Sequence, residues 1–371
     1  MQLDPNFALA WARLCHAHSH IHASSDTTPG RRDAAKRALK NAQKLAPNSP
    51  QTLLALAYYQ VRVLGDHGAG KSTYVRVSNM LPGSSEVLLA LARFARVDGN
   101  WDQSIGYFDQ ALISDPRNIE LLLSAAETHV MLRQFPAALQ LYDRVLDIAR
   151  YDPDVMARKA DVYRAQGNLP EAARLLSGIN EQTPNDDAFN SKINHLMVER
   201  NYGEAIRLLQ ARLAQFHYDS EFERSANQVW LAVIQRLAGD TAGAKVNAEQ
   251  SRHILEQIYT DQPENDLIVS VLSLAYAAMG EKDSALKMAE HAIMLSPRTK
   301  DPVYGPQLEG NLAVIQAMFG ENSRAISTLT KLLRTPYGYE PITPALLRLE
   351  PFWDPLRGDP AFQKLCEEKQ K

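Results

Sequence analysis

Two short stretches of the 371-residue chain carry side chains whose types and spacing could do chemistry. The first, GDHGAGKS from Gly65 to Ser72, satisfies the pattern GxxxxGK followed by Ser or Thr. In that pattern backbone N–H groups cradle nucleotide phosphates and a lysine, here Lys71, reaches their outer oxygens. The second, CHAHSHIH from Cys15 to His22, holds four of the ten histidines within seven residues. On a helix His16 and His20 share one face and His18 and His22 another, with Cys15 beside the second pair, a ligand set that zinc or nickel would accept. Each reading makes demands on its surroundings. A phosphate loop needs a buried strand before it, and a metal site needs a further carboxylate or cysteine to complete the set.

The elements around the motifs do not meet those demands. TLLALAYYQVRVL, upstream of Gly65, has the apolar spacing of a helix and is longer than an ordinary strand. Asp98 and Asp240, which follow apolar runs and could serve magnesium, sit at turns of a repeat. Gly65, Gly99, Arg133 and Gly167 are each 34 positions apart, with looser copies at Arg200, Gly239, Gly280 and Gly320 and an earlier one near Gly30. Five positions after each turn comes a small residue: Ala35, Gly70, Ser104, Ala138, Ala172, Ala205, Ala244, Ala285, Ala325. Four further on, one helical turn along, most copies have a large one: Leu39, Tyr74, Phe108, Tyr142, Leu176, Leu209, Leu329. Proline closes many units, as at Pro47, Pro82, Pro116, Pro184 and Pro297. A left-handed turn residue stops helix A, the small residue lets helix B approach it, the large one fills the space between units, and proline bars continuation.

Both motifs fall into this register. Gly65 is the turn, Gly70 the small residue, expected to face Tyr58, and Lys71 a surface lysine. In the first unit Trp11, Leu14, Cys15 and His18 take the inward positions of helix A while His16 and His20 face the groove between the repeats' A helices. No carboxylate or cysteine completes a metal set nearby, so neither cofactor nor metal is expected. A nucleotide switch using Lys71 and a metal-responsive element at residues 15–22 remain the alternatives. No GxSxG, HExxH or kinase signature is present, and no enzymatic activity is expected.

Forty basic against 43 acidic side chains give a net charge of −3, no electrostatic reason to expect direct nucleic-acid binding. The basic run Arg31 to Lys44 is spaced as one solvated helix face. Only Cys15 and Cys366 are present, which argues against a disulfide framework. No apolar stretch approaches the ~20 residues that span a bilayer, so no membrane insertion is expected and the chain reads as cytoplasmic.

The recurring positions resemble the tetratricopeptide repeat, and the resemblance covers almost the whole chain. It implies an all-α, right-handed superhelical solenoid of helix-turn-helix repeats, about nine units over residues 1–334, followed by a capping segment at 335–371. The turn of the first unit is lengthened by Ala23 to Gly30, and helix B of the seventh extends to about Tyr259. Stacked pairs of this kind line a concave groove with their A helices. Counted from the turns, the groove positions are Tyr59, Arg62, Arg93, Arg96, Glu127, Asp161, Arg164, Asn190 and Asn194. Arg62, Arg93 and Arg96 make a basic stretch suited to gripping carboxylates, Glu127 and Asp161 an acidic one, and Tyr59 a ring that could cover a peptide. The expected role is a protein- or peptide-binding scaffold, with self-association left open. Among chaperone-binding members of the family, only Asn190 and Asn194 resemble the Lys and Asn set that clamps a terminal carboxylate, and that activity is not carried over.

Both ends depart from the period. Leu3-Asp4-Pro5-Asn6 is what normally closes a preceding unit, so the chain reads as a fragment with an added Met1. ITPALLRLEPFWDPLRGDPAFQKL, Ile342 to Leu365, reads as a short helix, a Pro-rich connection and a final helix whose Leu346, Phe352, Trp353, Phe362 and Leu365 cover the last repeat. Its core, Asp354 to Phe362, resembles the C-terminal end of large bacterial signalling proteins in which a repeat array follows a kinase, adenylate cyclase or winged-helix domain. That resemblance implies a sensing or docking region, and no effector activity, because no such domain is in this chain.

Overall fold

A computed structural model describes residues 6–24, 28–338 and 340–368; the reading of Leu3, Asp4 and Pro5 lies outside them, as do residues 25–27 of the first turn. Among the described residues every regular element is a helix. The chain divides into two compact units, Met1–Ala125 and Ala126–Lys371. The first contains α1 (Ala8–Ser24), α2 (Pro29–Leu45), α3 (Pro50–Arg62), α4 (His67–Met80), α5 (Ser85–Val97), α6 (Trp101–Ser114) and the start of α7 (Ile119–Met131). The second contains the end of α7, then α8 (Phe135–Ile148), α9 (Pro153–Ala165), α10 (Leu169–Leu175), α11 (Asp186–Val198), α12 (Tyr202–Gln215), α13 (Glu221–Leu237) and α14 (Thr241–Asp261). It continues with α15 (Asp266–Met279), α16 (Lys282–Leu295), α17 (Gly305–Met318), α18 (Asn322–Leu332), α19 (Pro344–Leu349), a 3-10 helix (Pro351–Leu356) and α20 (Pro360–Glu367).

The helix boundaries follow from local chemistry. Thr28, Ser49, Asp66, Asn185, Ser220 and Asp240 each accept a backbone N–H of the following first turn. Pro29, Pro50 and Pro153 stand at the start of helices, where a missing N–H costs nothing. At the other end, all eight turn residues from Gly65 to Gly320 adopt a left-handed backbone, with φ from 58° at Arg133 to 87° at Gly239. Six are glycine; Arg133 and Arg200 hold this conformation at a cost of roughly 1 kcal/mol each.

The packing follows the small and large positions. Ala35, Ser104, Ala138, Ala172, Ala205, Ala244, Ala285 and Ala325 are completely buried, and Gly70 is buried with them. Leu39, Tyr74, Phe108, Tyr142, Leu176, Leu209 and Leu329 are no more than 5% exposed, each contributing about 1.5–3 kcal/mol of apolar burial. After α18, Phe352, Trp353, Leu356, Phe362 and Leu365 join one core with Ala313 and Ile315 of α17 and Ile326, Leu329 and Leu332 of α18.

Candidate functional site

The stretch from Gly65 to Ser72 does not form a phosphate cradle. Helix α3, not a strand, precedes it, and α4 has already begun at His67. The N–H of Gly70 donates to the carbonyl of Asp66 at 3.0 Å, and that of Ala69 to the Asp66 carboxylate at 2.9 Å. A carboxylate thus occupies the helix N-terminus where an anionic ligand would need to lie. Lys71 pairs with Asp98. Gly70 is pressed against α3: a Cβ there would lie 2.3 Å from Cγ2 of Val61 and 3.4 Å from the carbonyl oxygen of Ala57. Its neighbours are therefore Val61 and Ala57, not Tyr58, which sits one position out of the expected register.

The histidines are dispersed among separate partners. His16 stacks on Tyr58, with centroids 3.8 Å apart, and its Nε2 lies 3.5 Å from Glu86. Nδ1 of His20 meets the Tyr58 hydroxyl at 3.3 Å, and Nδ1 of His18 meets Nη1 of Arg31 at 3.0 Å. Cys15 is buried with its thiol toward the Ala55 carbonyl, and burial pushes its pKa up to about 11, away from the thiolate a metal would require. Among the described residues no cluster of three or more His, Cys, Asp or Glu could hold a metal ion.

In the first unit the one-residue shift exchanges two tyrosines. Tyr59 is 6% exposed, packed with Cys15, Leu39 and Ala55, so it cannot cover a peptide. Tyr58 takes the half-exposed place, with the exposed Arg62 guanidinium 5.6 Å from its ring centroid. Arg93 bridges Glu120 and the Ser124 hydroxyl at 2.9 and 2.7 Å, and Arg96 reaches the Ser124 carbonyl at 3.4 Å. Both arginines remain half-buried. The A-helix face of this unit thus presents Tyr58, Arg62 and Arg93, with His16 and Glu86 beside them.

In the second unit the chain's own C-terminal segment takes up predicted positions. Arg164 is 1% exposed: its guanidinium forks onto Glu340 with two bonds of 2.8 Å, shares Asp161 at 2.8 Å and donates to the Ser191 carbonyl at 3.0 Å. Neither Arg164 nor Asp161 is therefore available to a partner as they stand. Glu127 accepts from Arg158 at 2.8 Å, while Asn190 and Asn194 are half-buried on α11.

The segment continues along three successive turns. Arg133 donates to the carbonyls of Leu332, Thr335 and Ile342 at 2.8, 2.9 and 3.0 Å, with its guanidinium 5.8 Å from the Tyr337 ring centroid. Thr343 donates to the Ala165 carbonyl at 2.7 Å, and Ala345 passes so near Gly167 that a Cβ there would lie 3.4 Å from its own. Arg200 then holds the Leu349 carbonyl at 3.1 Å and Asp354 at 2.8 Å. The two turns that carry arginine in place of glycine are the two whose side chains grip this strap. The sequence signal was there, an arginine at a position that otherwise calls for glycine, but it does not name the segment gripped.

An all-helical array with this register is a repeat solenoid, and the comparisons place it more narrowly. Residues 89–153 and 129–196 each match a Tetratricopeptide repeat family. The fold is similar to a tetratricopeptide repeat protein from Parabacteroides merdae (TM-score 0.51, 16% identity, covering 72% of this chain and 98% of that one). It is also similar to yeast Tom70 (TM-score 0.53, 11% identity, 83% and 63%) and to the human IFIT1 dimer with PPP-AAAA (TM-score 0.50, 13% identity, 88% and 81%). At these identities the likeness concerns the fold alone. No curated protein matches the sequence. Residues 89–196 are thus matched as tetratricopeptide repeats, and the neighbouring solved structures share the repeat fold. Such repeats generally mediate protein–protein interaction. No described helix is long and apolar enough to cross a membrane.

Proposed function

We propose that the protein is a non-enzymatic scaffold that binds an extended protein or peptide segment bearing carboxylates on the A-helix face of residues 1–125. The observation that carries this reading is the grouping of Arg62 over the Tyr58 ring with Arg93 on the neighbouring A helix. A half-exposed ring beside guanidinium groups offers an apolar platform for a peptide and forked donors for its carboxylates. Arg96 lies one helical turn beyond Arg93 and extends the basic stretch. On the second unit Glu127, Asn190 and Asn194 keep partial exposure and supply a lesser, uncharged-to-acidic surface, while Asp161 and Arg164 serve the strap. The resemblance of Asp354 to Phe362 to the ends of bacterial signalling proteins supports a sensing or docking role within a larger regulatory protein.

Selection of a displayed random-peptide library on the full chain tests the reading. Enriched peptides should carry acidic residues, and their affinity should fall at least about tenfold in Arg62→Glu/Arg93→Glu, the loss of one or two charge-assisted contacts. Neutral or basic enriched peptides that bind wild type and variant equally would contradict it.

A further inference from the structure

Two carboxyl groups, from Asp161 of α9 and Glu340 of the strap, sit on the buried guanidinium of Arg164, and a third, from Glu350, acts on them through its charge without touching the guanidinium. Glu340 accepts both arms of the fork, and Asp161 shares Nη2 and contacts the Ser191 hydroxyl. Glu350 accepts the Trp353 indole N–H at 2.7 Å and lies within reach of the charges of Glu340 and Arg164. Of the other charged groups facing the cluster, Arg357 donates to the Glu350 backbone carbonyl at 3.3 Å but is paired with Asp354 at 2.7 Å. On α11, His195 is 1% exposed with Nε2 3.4 Å from Glu199, and burial, with the charges of Arg164 and Lys192, holds it toward its neutral form against the pull of that carboxylate. On α9, Arg158 is taken up by Glu127 and Asp187. Arg133 is at the far end of the strap over Tyr337. With every carboxyl ionised, one buried cation would face three anions in a half-buried site, an arrangement that a single retained proton relieves.

We propose that residues 335–338 and 340–350 form a proton-dependent clasp: they hold the turns at Arg133, Gly167 and Arg200 in one arrangement while Glu350 keeps its proton, and they loosen when that proton passes to solvent. Burial and then the neighbouring Glu340 push Glu350 up to about 8, and burial pushes Asp161 up to about 6. The closed clasp therefore holds protons that the open, hydrated carboxyls give up. Its advantage is greatest near the ordinary carboxylate range, shrinks as pH rises and is gone once Glu350 ionises in the closed form. Arg133 and Arg200, which bind carbonyl oxygens and Asp354, set where the strap lies, and the Arg164 cluster sets how firmly. This inference does not rest on partner binding by residues 1–125.

Hydrogen exchange of the full chain tests it, read as protection factors so that the intrinsic pH dependence of exchange cancels. Peptides covering residues 335–350 are compared at pH 6 and pH 8.5, with α16 as internal reference. Protection of the strap should fall tenfold or more, a factor of ten for each unit by which the closed form outbinds the open one, while α16 stays constant. Glu350→Gln, which cannot ionise, should keep the same protection at both values. Wild-type protection that does not change with pH overturns the proposal without recourse to any variant. A folded Glu350→Gln protein that loses protection as wild type does overturns it as well.

Discussion

Arg133 and Ile342, 209 residues apart in sequence, meet where the guanidinium of one donates to the carbonyl oxygen of the other at 3.0 Å. The same guanidinium takes two further carbonyls, from Leu332 and Thr335. A turn residue of one repeat thereby fixes the end of α18 and the start of the strap.

Arg133→Ala should destabilise the second unit by about 2–4 kcal/mol, because three half-buried carbonyls lose a charged donor together. Arg133→Gly should recover roughly 1 kcal/mol of that loss by relieving the left-handed backbone. Arg200→Ala, whose ion pair with Asp354 is solvent-exposed, should cost no more than about 1 kcal/mol. Urea denaturation of the three variants checks the order.

Gly70 and Lys71 should separate the two meanings of their motif. Gly70→Ala puts a methyl group against the branched Val61 side chain and should cost about 1–3 kcal/mol despite alanine's better helix propensity. Lys71→Ala removes only an exposed pair with Asp98 and should change stability by less than about 1 kcal/mol. Calorimetric titration with ATP and GTP should show no binding that depends on Lys71. Tight binding abolished by Lys71→Ala would restore the nucleotide reading.

The adjacent tyrosines should behave as opposites. Tyr59→Ala opens a cavity in the core around Cys15 and Leu39 and should cost about 3–5 kcal/mol. Tyr58→Ala loses a partly exposed stack on His16, worth about 1 kcal/mol, yet should weaken capture of acidic peptides by residues 1–125. Thermal melts together with peptide affinities distinguish the two.

Stability of the second unit should decline from about pH 5 to pH 8. Asp161 and Glu350 have folded-state values raised to about 6 and about 8, above their ordinary carboxylate range. For an acid raised on folding, the stabilisation is complete below its unfolded value and is lost as pH rises through the folded one. Glu350→Gln should flatten the decline between pH 6 and pH 8, while Asp161→Asn should flatten it only below about pH 6. Urea midpoints across that range give the comparison.

Which of these features the sequence discloses depends on how local their cause is. The turn, small and large positions are fixed by packing between adjacent helices and recur every 34 residues, so Ala138 and Tyr142 can be read directly. The side of α3 cannot be read so surely: counting back from Gly65 leaves one residue of slack, enough to exchange Tyr58 for Tyr59. Arg164 was legible as an A-helix arginine but not as a buried one, because its partner Glu340 is 176 residues away and outside the period. The strap's apolar residues were legible as a cover for the last repeat. Its path across three earlier turns was not, since Thr343 and Ala345 carry no pattern that points to Ala165 and Gly167.

The most direct measurement of the strap's hold on the repeats is a double-mutant cycle between Arg164→Ala and Glu340→Ala, read by urea denaturation of the full chain at pH 7. A forked, buried pair predicts a coupling energy of at least about 2 kcal/mol. A coupling within about 0.5 kcal/mol of zero would mean that the C-terminal segment does not sit against α9, and would contradict the arrangement on which the clasp depends.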